Sequence, residues 1–217
     1  MSYSPFIAPF DQLPETLPVF PLPGAIVMPG NDLPLNIFEP RYLNMVNDAL
    51  SSHRMIGMIQ PDPNADKDAT LCHTGCAGRI TQHRETSDGR IEMVLSGVCR
   101  FDLDDVLPTT RGYRLVVPNW SRFSDDYFEH DDKLPREQDR LLGMLKRYLE
   151  IKGLETDWSG IERLPTIKLM NSLIMALPFS DQDKQVLLET IKPEARLMTF
   201  IAMLGSELQA SDSVTRH

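Results

Sequence analysis

Cys72-His73-Thr74-Gly75-Cys76, with His83 seven positions further on, brings thiols and imidazoles together closely enough to raise two chemistries. One is a zinc site; the other is a thiolate nucleophile with a histidine base. In an extended strand, residues four apart are separated by about 13 Å, so a single tetrahedral zinc would require a turn at Gly75. No second ligand pair at zinc spacing completes a set of four. A nucleophilic Cys76 would need thiolate activation and a third group to orient its base, and the neighbouring sequence supplies neither. These thiols read as buried residues of a strand.

Two further patterns invite chemistry and fall short of it. Asp62-Pro63-Asn64-Ala65-Asp66 opens like a calcium loop, but Lys67 stands where the tight turn needs glycine and His73 where the bidentate glutamate belongs. A solvated loop is expected there. Lys168 and Ser172 lie one helical turn apart, a spacing that could be read as a dyad; without a glycine-rich oxyanion element nearby they read as a surface or interface pair. The chain has no P-loop, no Gly-x-Gly-x-x-Gly and no Gly-x-Ser-x-Gly. No catalytic residue, metal site or cofactor is expected.

The elements that carry these residues fall into two regimes. Up to about Trp120, short apolar runs are cut by turns, with strand candidates at Phe20, Ile26–Met28 and Leu33–Phe38 separated by Pro23-Gly24 and Pro29-Gly30-Asn31-Asp32. Prolines 18, 21, 23, 29, 34 and 40 crowd this segment, and a residue without an amide donor belongs at strand ends and edges. Pro40 suits a first helical position, and Tyr42, Met45, Val46 and Leu50 follow at helical spacing, so one early helix is expected. Met55–Ile59 reads as a strand, Ser87-Asp88-Gly89 as a hairpin turn, and Ile91, Met93 and Leu95 alternate with Glu92 and Ser96. Phe101 and Leu103, then Tyr113, Leu115 and Val117, continue the alternation. Six or seven short strands with one helix predict a small, partly closed barrel.

After the acidic stretch Asp125–Asp139 the period changes to about 3.6. Leu141, Met144, Leu145, Tyr148 and Leu149 make one apolar face, and Ile167, Met170, Leu173, Ile174 and Leu177 a second. Ser180 with Asp183 reads as an N-cap before Val186, Leu187 and Ile191, and Pro193 opens a last helix through Leu197, Met198, Ile201, Leu204 and Leu208. The fold class is therefore α+β, divided as a barrel over 1–122, an acidic linker over 123–139 and a helical bundle over 140–217.

Composition narrows the function. Across 217 residues the formal charge is −9 and the pI about 5.0; residues 1–123 carry −4 and residues 124–217 carry −5. Neither half has the basic footprint that phosphate contacts need, so nucleic acid is excluded as a partner. No stretch approaches the ~20 apolar residues of a membrane span, and the N-terminus lacks the basic and apolar regions of a signal peptide. No membrane partner and a cytoplasmic location are expected. Three cysteines, an odd number, fit reduced thiols better than a disulfide framework.

Leu17-Pro-Val-Phe-Pro-Leu22, Met28-Pro-Gly30, Leu33-Pro-Leu-Asn-Ile-Phe38 and Glu39-Pro-Arg-Tyr-Leu43 together resemble the opening of the substrate-binding N-terminal domain of Lon, the ATP-dependent protease. Gly75-Cys-Ala-Gly-Arg-Ile80, Asp88-Gly-Arg90 and Leu95-Ser-Gly-Val-Cys-Arg-Phe101 resemble later barrel strands of stand-alone bacterial members of that family. Leu177-Pro178, Lys184-Gln185 and Leu187-Leu188-Glu189 resemble its helical continuation. The resemblance runs from about residue 15 to 209 and implies a PUA-like mixed β-barrel followed by a helical subdomain. It does not imply proteolysis, because the ATPase and Ser-Lys peptidase of Lon lie in later domains. Pro29, Gly30, Glu39, Pro40 and Arg41 fall on the family motif, where turn geometry and helix anchoring account for their types.

What the resemblance implies for function is a non-catalytic, substrate-binding module for unfolded or extended polypeptide, in protein quality control or as an adaptor to a protease or chaperone partner. Eleven methionines agree with a promiscuous apolar surface, although core filling explains them equally. The alternative is a small-molecule-binding domain using the groove between barrel and bundle. Junctions of rigid elements favour sites, which places the peptide-binding expectation on Trp120 and Phe123 just before the linker, with Arg41 and Tyr42 approaching from the early helix.

Overall fold

A computed structural model of the chain describes residues 9–62, 70–127 and 135–214. The chain forms six strands, β1 (Leu17–Pro21), β2 (Asp32–Ile37), β3 (Met55–Ile59), β4 (Thr74–Glu85), β5 (Ile91–Leu107) and β6 (Arg114–Asn119); β1 and β3 are apolar and almost wholly buried, while the first half of β5 alternates buried and less buried residues. They form one sheet in the order β2-β5-β4-β3-β1-β6, and the far half of β5 also pairs with β6. That pairing closes β5, β4, β3, β1 and β6 into a ring and leaves β2 outside it. The barrel is mixed because β1 and β3 run parallel, Val19 opposite Gly57, while the other pairings are antiparallel.

The strand prolines sit where their missing N–H matters least. Pro18 pairs with Leu115 of β6, one residue before the pairing of β1 with β3 starts at Val19. Pro34 lies on β2, which has β5 as its single strand neighbour. Pro118 pairs with Leu103 beyond the point where the β6–β1 register ends at Val116. Each position has one neighbour only, as the chemistry of proline requires.

Ile26–Met28, expected to be a strand, is an irregular buried segment instead. It crosses β5 too closely to join a ladder: a Cβ on Gly97 would lie 2.1 Å from the Met28 carbonyl oxygen. The turn after it is held there by the Gly30 amide donating to the Gly97 carbonyl (3.0 Å) and the Gly97 amide donating to the Asn31 carbonyl (2.8 Å).

Helix α1 (Pro40–Leu50) starts on Pro40 and buries Tyr42, Met45, Val46 and Ala49, the stripe its spacing predicts. The remaining helices are α2 (Pro135–Lys152), a single turn α3 (Trp158–Ile161), α4 (Thr166–Ala176), α5 (Asp181–Glu189) and α6 (Pro193–Val214). Ser180 caps α5, its hydroxyl accepting from the Asp183 amide at 3.1 Å. Of the expected linker, residues 121–127 form 3-10 turns, residues 128–134 lie outside the described chain, and α2 begins at Pro135. The calcium-like loop at 63–69 also lies outside it.

Two cores result. The ring strands give alternate residues, among them Leu17, Val19, Ile59, Ala77, Cys99, Phe101 and Val116, to a small cluster inside the barrel that Phe123 closes. Their other faces, with β2 and α1, join a larger cluster that continues into the bundle through Leu141, Tyr148, Leu169, Met170, Leu187, Leu197 and Phe200. Barrel and bundle therefore share one continuous apolar core.

Candidate functional site

The seam between barrel and bundle, where a groove was expected, is filled and bonded. Helix α5 lies along it. At its start, Gln60 of the barrel donates to the Asp181 carbonyl (2.9 Å) and to Gln185 Oε1 (3.0 Å), and the Lys184 ammonium reaches the Gly24 carbonyl (2.9 Å). At its end, Arg100 of β5, 1 % exposed, donates to the carbonyls of Leu188 (2.8 Å), Thr190 (2.7 Å) and Ile191 (3.1 Å) while pairing with Asp126 at 2.6 Å. Arg122 bridges Asp102 (3.1 Å) and the Glu189 carbonyl (2.9 Å). Arg196 of α6 adds a second buried guanidinium on the Thr190 carbonyl at 2.9 Å. Three cations thus meet the carbonyl end of one helix, the end its dipole makes negative.

Phe123, expected to line a peptide groove, is 1 % exposed and lies beneath both Arg100 and Arg122, their guanidinium carbons 4.3 and 4.8 Å from its ring centroid. A ring enclosed in this way presents no face to a peptide. Half-buried Trp120 packs edge-on against Phe101 (5.7 Å between centroids) and donates its indole N–H to the Pro14 carbonyl at 3.3 Å. Both aromatics belong to the barrel-interior cluster, whereas Tyr42 belongs to the larger one.

Arg41 and Tyr42 occupy a different place, a cleft of about 180 Å³ lined by Pro21, Arg41, Tyr42, Pro61, Gly112, Tyr113 and Arg114. Its walls come from the ends of β1 and β3, the first turn of α1 and the loop into β6. Gly112 lets that loop approach: its φ is +84°, and a Cβ there would lie 3.2 Å from Arg41 Cβ. The loop is tied to α1 by Tyr113, whose hydroxyl donates to Asp48 Oδ2 (2.8 Å), and by Arg111, which grips the same carboxylate with two bonds of 2.9 and 2.8 Å. Arg41 stacks over the Tyr42 ring at 4.5 Å and holds Glu39 at 2.8 Å; Tyr42 in turn packs on Phe20 at 4.3 Å. Burial pushes the Tyr42 hydroxyl above its ordinary pKa, Arg41 and Arg114 oppose that push, and Glu39 adds to it. Both guanidiniums are therefore felt at the phenol. Tyr113 and Arg114 were not singled out from the sequence. The alternation of Tyr113, Leu115 and Val117 marked a strand, but only the α1 contact brings its first residues to Arg41.

The thiols lie apart from this cleft. Cys76 and Cys99 belong to different clusters on opposite faces of the sheet. Burial pushes both thiols well above their ordinary pKa, and Cys72 is raised to about 11 by burial first and then by Asp62. Such thiols stay protonated near neutrality and are poor nucleophiles. Ser172 donates to the Lys168 carbonyl (2.9 Å) and accepts from buried Asn31 (2.6 Å), which makes the Lys168–Ser172 turn part of the seam.

The comparisons with known proteins agree with this architecture. Residues 16–206 match the profile of the ATP-dependent protease La (LON) substrate-binding domain. Lon protease of Desulfosudis oleivorans is 21% identical over 209 residues, 92% of this chain and 25% of that protein. Lon protease 2 of Thermus thermophilus is 25% identical over 220 residues, 94% of this chain and 26% of that protein. The chain spans about a quarter of the length of these two relatives. Among solved structures, a Lon N-terminal domain protein from Xanthomonas campestris superposes with TM-score 0.62 at 22% identity, covering 86% of this chain and 97% of the other. The N-terminal domain of Mycobacterium avium complex Lon protease gives 0.63 at 19%, covering 88% and 98%. Barrel, early helix and helical continuation are thus shared, and the chain belongs to the family of the Lon substrate-binding domain.

Proposed function

We propose that this chain is a non-catalytic module that holds extended or unfolded polypeptide, serving protein quality control alone or as an adaptor to a protease or chaperone. The observation that carries the reading is the match of a substrate-binding domain over residues 16–206, nearly the whole length of a chain whose described thiols and lysine–serine pair are engaged in packing. The α1 cleft supports it, since an exposed arginine, two tyrosines and two prolines suit the mixed polar and apolar character of an unfolded segment. Methionine does not add to the case: Met28, Met45, Met55, Met58, Met93 and Met170 are buried in the cores, and Met198 alone is strongly exposed among the described ones. The small-molecule alternative rested on an open seam, and the described seam is occupied by Arg100, Gln60 and Lys184.

No helix among the described residues is long and apolar enough to cross a membrane, and the three free cysteines fit a reducing compartment, in keeping with the cytoplasm. Fluorescence titration with a denatured, labelled client protein tests the function. Saturable binding at or below tens of micromolar is expected, with the native form of the same client failing to compete; absence of binding in that range overturns the reading.

A further inference from the structure

We infer that the outer edge of β2 is a strand-addition site, at which an extended segment of an unfolded polypeptide, apolar at alternate residues, pairs through its main chain. This deepens the polypeptide-binding reading and rests on it.

A closed barrel has no edge, but β2 lies outside the ring and has β5 as its single neighbour among the described strands. Alternation decides which of its backbone groups are left over. The Asn31 carbonyl points to β5, where it accepts the Gly97 amide at 2.8 Å. With Asp32 opposite Ser96, Pro34 opposite Val94 and Asn36 opposite Glu92, Leu33, Leu35 and Ile37 then bond β5, while the backbones of Asp32, Pro34 and Asn36 turn outward. Pro34 agrees with this phase, because its missing donor falls on the free side. The amides of Asp32 and Asn36 and the carbonyls of Asp32, Pro34 and Asn36 remain along that side, and no turn, loop or side-chain group among the described residues bonds them. Donors and acceptors at strand spacing are matched by another extended chain. Two copies of β2 would each bring a proline without a donor to such a pairing, which disfavours self-association and leaves a foreign strand as the occupant.

The side chains beside the edge set what that strand carries. Leu33 and Leu35 are half-buried at the rim of the larger core, so apolar residues at alternate positions of an added strand extend it. Phe38, 61 % exposed, stands at the end of the edge, with the Arg90 guanidinium carbon 5.6 Å from its ring centroid. A cleft of about 550 Å³, lined by Pro34, Asn36, Gln82 and Val94 among others, adjoins it. The charged groups of β2 and of the β5 stretch opposite are engaged within the protein: Asp32 accepts from the Ser96 hydroxyl at 2.5 Å, and Glu92 pairs with Arg84 at 2.5 Å. On a protein of net charge −9, an edge whose charges are already bonded suits an uncharged, apolar stretch of the kind that unfolding exposes. The strand leads directly into the first turn of α1, so edge and Arg41–Tyr42 cleft lie on one stretch of chain.

Fluorescence anisotropy on the full chain tests this with a labelled peptide that alternates leucine and serine, in three forms: unmodified, N-methylated at one central amide, and N-methylated at the next. An added strand turns alternate amides toward β2, so one methylated form is expected to bind about tenfold or more weakly and the other like the parent. Asn36→Pro removes an outward amide and, by the same alternation, spares the ladder to β5; it should weaken the unmodified peptide about three- to tenfold. The peptide series stays informative should that variant fail to fold. Methylated forms that bind alike overturn the edge and leave the polypeptide reading standing, as does a folded Asn36→Pro that binds as tightly as the wild type. A wild-type dimer in sedimentation that Asn36→Pro makes monomeric would show a second copy filling the edge, and also overturns the proposal. No binding of the unmodified peptide overturns both readings.

Discussion

Arg41 and Tyr42 were legible in the sequence as a motif, and their partners were not, for a physical reason. Tyr113 and Arg114 are more than sixty residues away and are brought onto α1 by a loop in which Gly112 is left-handed and a Cβ would lie 3.2 Å from Arg41 Cβ. Gly112→Ala should therefore destabilise the chain by about 1–2 kcal/mol in urea unfolding and weaken peptide binding, by forcing the loop off Arg41. Trp120 and Phe123, expected at the junction, both pack into the barrel-interior cluster. What sequence could not show was that cationic partners would enclose Phe123. His53 carries a pH-dependent term. Its Nδ1 accepts the Met55 amide at 3.1 Å, which requires the neutral ring, and burial first, then Arg79, hold its pKa below the ordinary 6.5. The unfolded chain takes up this proton at higher pH than the folded one, so stability falls as pH drops below about 6.5. His53→Asn, which accepts at any such pH, should flatten that part of the stability curve measured from pH 7 to 5. Thiol chemistry gives a third expectation: with pKa values raised by burial, all three cysteines should label slowly at pH 7 and rapidly once urea unfolds the chain.

Elements were legible wherever one face is buried. The alternation in β5 and the 3.6 period in α1, α2, α4 and α6 came through because a two-sided environment writes itself into residue type. Ile26–Met28 was misread since a buried run of three lacks enough length to show a period, and its close crossing over Gly97 is a tertiary fact. Helix α3 was missed because one turn is too short to carry a stripe. The polar joint at the end of α5 had no sequence signature either, as arginine binding to backbone carbonyls depends on where a helix stops. Its energetics can be tested. Asp126 balances the buried guanidinium of Arg100 and also acts electrostatically on Arg196, so Asp126→Asn should cost about 3–5 kcal/mol by leaving buried positive charge uncompensated. Chemical denaturation measures this, and a loss within experimental error would mean that the joint contributes little.

At the scale of the whole molecule, the division into barrel, linker and bundle was drawn from a change of period, and a period says nothing about which apolar faces meet. Strand residues such as Ile56, Met58 and Leu95 share a cluster with Leu169, Leu187 and Phe200 of the helices. Calorimetry should accordingly show one unfolding transition rather than two. With the seam closed and pinned by Arg100, Arg122 and Gln60, the proposed polypeptide binding is left to the outer surface, and the α1 cleft is where motif residues and an assembled loop coincide. Hydrogen exchange of the full chain, with and without a saturating, permanently unfolded protein, tests that account most directly. Slowed exchange is predicted in the first turn of α1 and across residues 112–115, with little change at the end of α5. Exchange left unaltered everywhere, or protection confined to the seam, would contradict it.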